Sequence, residues 1–163
     1  MIFVIDGFNL IYKFKELEEL MIENQLENAI ERLIHYLIQL KRKRSNLEFH
    51  VFFDGKKRKG DSTYQEEIQN IMCYYSHDIS ADALIEDFIQ NKKAKHYTNI
   101  CVVSSDKRIK SFTKQMKYDY KTSEEFYLFY KEMMATNTKK EEKPEITSKE
   151  EIDEWLRIFK NRK

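Results

Sequence analysis

The sequence predicts an α/β fold built on a mainly parallel sheet of four to five strands. Three observations carry that expectation. Short apolar runs recur along the chain, amphipathic helical stripes lie between them, and the runs lead into aspartate at their carboxyl ends. Strands alternating with helices imply βαβ units and a sheet covered on both faces.

The first run, Ile2 to Ile5, ends in Asp6. The second, Phe49 to Phe53, ends in Asp54. The third, Ile71 to Tyr75, leads into Ser76-His77-Asp78. The fourth, Ile100 to Val103, leads through Ser104 and Ser105 to Asp106. Continuous apolar runs rich in β-branched and aromatic residues suit strands buried on both faces. A weaker fifth strand is expected near Lys117 to Lys121.

Helical spacing separates these runs. Leu26, Ile30, Leu33, Ile34, Leu37 and Leu40 recur in three- and four-residue steps, and Glu16 to Ile22 reads as a separate helical segment before them. Ala81, Leu84, Ile85 and Phe88 form a second stripe, and Ile109, Phe112 and Met116 a third. Ser123 followed by Glu124 and Glu125 reads as an N-cap with an acidic first turn, opening a helix through Met133. One domain is expected over residues 1–136. Residues 137–147, polar and holding the only proline, Pro144, read as a connection. Ser148 and Glu151 form a capping box for a helix over 148–163. Its stripe of Ile152, Trp155, Leu156 and Phe159 is expected to pack on the same domain.

Charge is nearly balanced, with 29 Lys and Arg against 28 Asp and Glu. Nothing global demands a polyanionic partner, so the distribution of charge matters more. Cys73 and Cys101 fall inside apolar runs without companion ligands, which excludes zinc spacing and suggests buried thiols. No secretory leader or membrane-spanning run is visible, so a soluble, cytoplasmic protein is expected, with no membrane partner. Only three glycines occur and none builds a phosphate loop, which disfavours nucleotide-driven phosphoryl transfer.

The carboxylates carry the chemistry. In a parallel sheet the strand ends share one edge, so Asp6, Asp54 and Asp106 can converge there. Asp82 opens the helix after the third strand at the same edge. Glu86, four residues on, shares its helical face, whereas Asp87 points elsewhere. Aspartates often follow strands because they start turns and cap helices. Four at one edge is harder to explain that way. Gathered carboxylates repel unless something cationic satisfies them, and hard oxygen ligands favour Mg²⁺ or Mn²⁺. Gly7 permits a tight turn after Asp6, and Asn9 could then face Asp6 or cap the next segment. Ser104 and Ser105 could bond a carboxylate or a phosphate.

Basic residues flank the same edge. Lys56, Lys57, Arg58 and Lys59 follow Asp54, and Lys107 and Arg108 follow Asp106. They are placed to hold a phosphate backbone. Lys41 to Arg44 should close the first long helix at the opposite edge, where cations suit the helix dipole. None of the four histidines has paired ligand spacing.

Together the segments Ile5-Asp6-Gly7-Phe8-Asn9, Phe52-Phe53-Asp54-Gly55, Ser80-Ala81-Asp82-Ala83-Leu84-Ile85-Glu86 and Val102-Val103-Ser104-Ser105-Asp106 resemble, in order and spacing, the NYN domain of the PIN-like nuclease superfamily. The likeness extends to Ser123-Glu124-Glu125-Phe126 and to Trp155-Leu156-Arg157-Ile158-Phe159, as in YacP-like bacterial proteins. Ser80 stands where threonine is common. The resemblance implies a three-layer Rossmann-like (PIN-like) sheet and Mg²⁺- or Mn²⁺-dependent cleavage of RNA. For the YacP-like branch it implies an endoribonuclease acting on mRNA at the ribosome. Asp6, Asp82 and Asp106 match the central acidic positions, and Asn9, Asp54 and Glu86 the supporting ones. The catalytic set expected is therefore Asp6, Asp82, Asp106, Asn9 and Asp54, with Asp6, Asp82, Asp106 and Glu86 as metal ligands. The alternatives are a ribosome- or RNA-binding module with a silent acidic site, and a toxin-type or DNA-directed nuclease of the same superfamily.

Overall fold

A computed structural model describes residues 1–55, 63–77 and 79–142, with the side chains of 137–142 excepted. The Lys56 to Lys59 cluster, residues 143–147 of the expected connection and the expected helix over 148–163 lie outside the described residues.

The strands are β1 (Ile2–Asp6), β2 (Glu48–Asp54), β3 (Tyr64–Ile68), β4 (Ile71–Ser76), β5 (Ile100–Val103) and β6 (Asp119–Lys121). The helices are α1 (Gly7–Ile11), α2 (Lys15–Ile22), α3 (Leu26–Lys43), α4 (Ala81–Ala94), α5 (Lys107–Gln115) and α6 (Ser123–Glu142). The sheet order is β3-β4-β2-β1-β5-β6, and every pairing is parallel except β3 with β4. The expected fold class stands, with six strands rather than four to five. The weak strand near Lys117 to Lys121 is β6, and β3 is the strand the apolar pattern does not show. β3 is polar and exposed, so it carries no hydrophobic signal. Gln69 and Asn70 join it to β4 with φ of 46° and 71°, the double left-handed turn that suits a two-residue hairpin. Glu66 and Glu67 on this edge discourage further strand pairing.

Alternation along β1 divides the core. Phe3 and Ile5 face a cluster built with Leu10, Leu17, Leu33, Leu37 and Phe126, under α1, α2, α3 and α6. Ile2 and Val4 face a smaller cluster with Phe52, Ile85, Ile89, Val102 and Ile109, under α4 and α5. The result is three layers, helices over sheet over helices. Phe3 stacks on Phe49 at 5.5 Å and meets Phe126 edge-on at 5.3 Å, fastening α6 to β1 and β2. Cys73 and Cys101 are buried free thiols, as their apolar surroundings suggest, and burial pushes the Cys101 thiol up to about 12.

Two local readings change. The cap of α6 is Thr122, not Ser123: Thr122 Oγ1 accepts from the Glu125 amide at 3.0 Å, and Glu125 accepts from the Thr122 amide at 2.8 Å. This reciprocal pair is a capping box one residue earlier than read. The same helix runs to Glu142, so the first part of the stretch read as a polar connection is helical. Lys41 Nζ donates to the Leu47 carbonyl at 2.5 Å and Lys43 Nζ to that of Met134 at 3.1 Å, which makes this basic run part of a helix end.

The chain turns at once from β1 into α1, and Gly7 is the first helical residue. Its role is close approach rather than a left-handed turn: a Cβ there would overlap the ring of Phe53, which is fully buried and packs edge-on against Phe8. Gly7→Ala is expected to destabilise the fold by about 1–3 kcal/mol through overpacking. Urea denaturation checks this as a lower midpoint at unchanged slope.

Candidate active site

β1 is the switch point of the sheet. The chain leaves it toward β2 on one side, and β5 lies against its other side. Sheets of this type open a crevice beyond the carboxyl ends at such a point. Ile5 pairs with Val103, so the residues just beyond, Asp6 and Ser104, meet across the crevice. Ser104 Oγ donates to Asp6 Oδ2 at 3.1 Å and accepts from the Asp106 amide at 3.0 Å. Asp106 in turn caps α5, accepting from the Arg108 amide at 2.8 Å. One serine hydroxyl thus ties two of the expected acidic residues together.

Asp82 enters from the other side. Ser80 caps α4, its Oγ accepting from the Ala83 amide at 3.1 Å, which sets Asp82 in the first turn of that helix. Asp6, Asn9, Asp54 and Asp82 line a cavity of about 310 Å³ with Tyr12 and Ser80. Asp106 acts electrostatically on both Asp6 and Asp82 from beside it. Of the residues expected from sequence, Asp6, Asn9, Asp54, Asp82 and Asp106 are thus brought to one place, and Glu86 and Arg108 stand at its margin. Glu86 forms a two-pronged pair with Arg108: Nε to Oε2 and Nη2 to Oε1, both at 2.9 Å. Glu86, expected as a metal ligand, and Arg108, expected on the phosphate backbone, pair with each other in this structure. Lys107 stays exposed at the start of α5.

Asn9 is held by two donors. Its Oδ1 accepts from the Ser105 amide at 2.9 Å and from Ser123 Oγ at 2.6 Å. The Ser105 amide can only donate, which decides which end of the Asn9 side chain is oxygen. Asn9 Nδ2 is then the end left to serve the cavity. The Asn9 backbone amide also bonds the Asp6 carboxylate. Ser123, fully buried at the base of α6, reads from sequence as a cap, and the fold places it against Asn9. The Tyr120 hydroxyl donates to the Ser104 carbonyl and steadies the same loop. Only the fold brings Ser123 here, since it lies far along the chain from Asn9. Its one local signal is the neighbouring Thr122, an equally good cap that leaves Ser123 free for another role.

Burial pushes the Asp6 carboxyl up to about 6, with the charges of Asp82 and Asp106 adding to it and the Ser104 hydrogen bond opposing it. Burial likewise raises Asp82, followed by the Asp106 charge, while Arg108 pulls it down. Among the described residues, no three His, Cys, Asp or Glu side chains close on a common point at metal-ligand distance. The donors are nonetheless all oxygen. Mg²⁺ characteristically takes only one or two carboxylates and fills its shell with water and substrate phosphate, which fits carboxylates spaced around a cavity.

A family model, the YacP-like NYN domain, matches residues 3–160. The chain belongs to the YacP-like NYN family. That family is one of nucleases. The structure is similar to crystal structures of Rae1 (YacP) from Bacillus subtilis. A W164L mutant superposes with a TM-score of 0.70 at 18% identity, covering 96% of this chain and 91% of that one. A second Rae1 structure gives a TM-score of 0.66 at 19% identity, covering 99% and 95%. At such identity the likeness is one of fold. No curated protein matches the sequence. No helix among the described residues is long and apolar enough to cross a membrane.

Two outcomes follow from the geometry. The folded protein holds a proton on Asp6 more tightly than the unfolded chain, so this group favours folding at low pH. That contribution is lost as pH rises from about 4 to about 6. In EDTA, Asp6→Asn is expected to raise stability at pH 7.5 by on the order of 1–2 kcal/mol, with the gain vanishing near pH 4. Thermal denaturation of both proteins across that range checks it. Ser123→Ala, which removes one donor to Asn9, is expected to cost about 1 kcal/mol in urea denaturation.

Proposed function

We propose that the protein is a Mg²⁺- or Mn²⁺-dependent endoribonuclease, hydrolysing RNA phosphodiester bonds in mRNA at the ribosome. The observation that carries this reading is the meeting of Asp6, Asp82 and Asp106 at the switch point. Two of these carboxyls are held above their ordinary range by burial and by one another. Such an arrangement costs stability unless a cation relieves it. A divalent cation bound there supplies Lewis acidity toward the scissile phosphate and lowers the pKa of a water.

The protein's own residues do the rest. Asp6, Asp82 and Asp106 would hold the cation, directly or through water, and Asp54 would orient waters at the cavity wall. Asn9 Nδ2 would donate to a phosphate oxygen, its direction set by Ser105 and Ser123. The α4 and α5 N-termini open on the same edge and favour negative charge there. Lys107 and the Lys56, Lys57, Arg58 and Lys59 run would hold RNA through its backbone without reading sequence. The ribosomal context rests on family membership, and a cytoplasmic location follows from it.

The alternative reading is an RNA- or ribosome-binding module with a silent acidic site. The two are separated by mRNA cleavage on translating ribosomes with Mg²⁺ or Mn²⁺. Asp82→Asn is expected to lower cleavage by at least about 100-fold, with EDTA abolishing it. Cleavage unchanged by the substitution would sink the site assignment. Ribosome binding without cleavage in the wild type would favour the binding module.

A further inference from the structure

One row of side chains crosses the sheet away from the acidic site. Asp6 is in register with Phe52, Phe52 with Tyr74, and Tyr74 with Gln65. In-register neighbours project to the same face, here the face that α4 and α5 cover. α4 packs on β1 and β2 and reaches β4, and among the described residues the outer part of the row, over β4 and β3, lies beside it. A cavity of about 460 Å³ occupies that place, lined by Phe52, Tyr74 and Gln65 from the row and by Asp87, Phe88 and Asn91 from α4. Strand spacing puts Tyr74 two strands, or about 10 Å, from Asp6.

The lining has the composition of a base-binding site. Phe52 and Tyr74 stack at 4.3 Å and 9° from parallel, and Phe88 meets Phe52 edge-on at 5.5 Å. The Tyr74 hydroxyl is engaged with His50 Nδ1 at 2.7 Å, and Glu48 bonds the other nitrogen of that ring at 2.6 Å. The Tyr74 ring is thereby fixed as a platform. Asp87 and Asn91 stand one turn apart on α4 and so share a face. Among the described residues lining the cavity the one charged side chain is Asp87, and Lys92 lies over the Phe88 ring with Nζ 5.2 Å from its centroid. A flat ring with polar edges is favoured, because aromatic floors take any base by stacking and polar side chains sort bases by their edges.

We infer that this cavity is a subsite for one base of the RNA substrate, with guanine preferred. The inference rests on the nuclease reading and adds where a nucleotide beside the scissile phosphate lies. A carboxylate only accepts, and the guanine Watson–Crick edge offers two adjacent donors, N1–H and the N2 amino group, to a single carboxylate. Adenine, cytosine and uracil do not present such a pair. The Asn91 and Gln65 amides supply the donors that the guanine O6 and N7 acceptors require.

The test uses the full chain in EDTA, where no cleavage occurs, titrated separately with GMP, AMP, CMP and UMP. The Tyr74 and Phe88 ring resonances are followed by NMR. Both rings are expected to shift, with GMP bound about tenfold more tightly than the others. Asp87→Asn, at an exposed position, is expected to erase that preference while leaving weak binding of all four. Phe88→Leu, with its fold checked by circular dichroism, is expected to weaken all four. In cleavage assays Asp87→Asn should raise KM and leave kcat unchanged. Rings unmoved by every nucleotide, or a GMP preference that survives Asp87→Asn, would overturn the subsite. Metal-dependent cleavage without nucleotide binding removes the subsite and leaves the nuclease reading. GMP binding at these rings without cleavage leaves a guanine site and removes the nuclease reading.

Discussion

The register of β1 against β5 is the constraint on which the site depends. Ile5 opposite Val103 sets Asp6 beside Ser104, and that neighbourhood closes the hydrogen bonds joining Asp6, Ser104 and Asp106. A slip of one residue would reverse the faces of β1. Ile2 and Val4 would then leave the layer under α4 and α5, and Asp6 would point away from Asp82. Burial on both faces of β1 makes such a slip expensive, because Phe3 and Ile5 are as deeply packed as Ile2 and Val4. The hydrophobic core thus aims the carboxylates.

The same arrangement explains how an acidic cluster persists in a small domain. Asp6 is offset by Ser104 and by the Asn9 amide, Asp106 by the first turn of α5, and Asp82 lies in the first turn of α4 near Arg108. What remains is a carboxyl at Asp6 that holds its proton up to about pH 6. The strain is concentrated where a cation would remove it, and the Glu86–Arg108 pair at its margin is already neutralised. Asn9 illustrates the division of labour. Its oxygen joins the end of β1, the loop after β5 and α6, and its nitrogen is the end that those bonds do not use.

Much of the fold was legible because its signals are local. β1, β2, β4 and β5 are apolar runs, and α3, α4 and α5 carry stripes of the right period, so their existence needed no tertiary information. β3 was not legible, since its residues are polar and exposed and it exists by pairing with β4 through the turn at Gln69 and Asn70. The cap of α6 was misplaced by one residue because Ser123 and Thr122 are equally good caps on paper. The burial of Ser123 against Asn9 decides between them. From sequence Gly7 reads as a turn residue, whereas the reason for glycine is the ring of Phe53, distant in sequence.

By itself, the sequence determined the layered parallel sheet and the edge at which Asp6, Asp54, Asp82 and Asp106 gather. Strand period, helix period and the common direction of parallel strands are properties of short segments. Only the tertiary structure decided which polar groups satisfy which. Glu86 went to Arg108 because α4 and α5 pack side by side, and Asn9 turned its oxygen to Ser105 and Ser123 because α6 begins over the end of β1. Hydrogen bonds depend on tenths of an ångström between segments far apart in the chain, and no pattern within one segment carries that information.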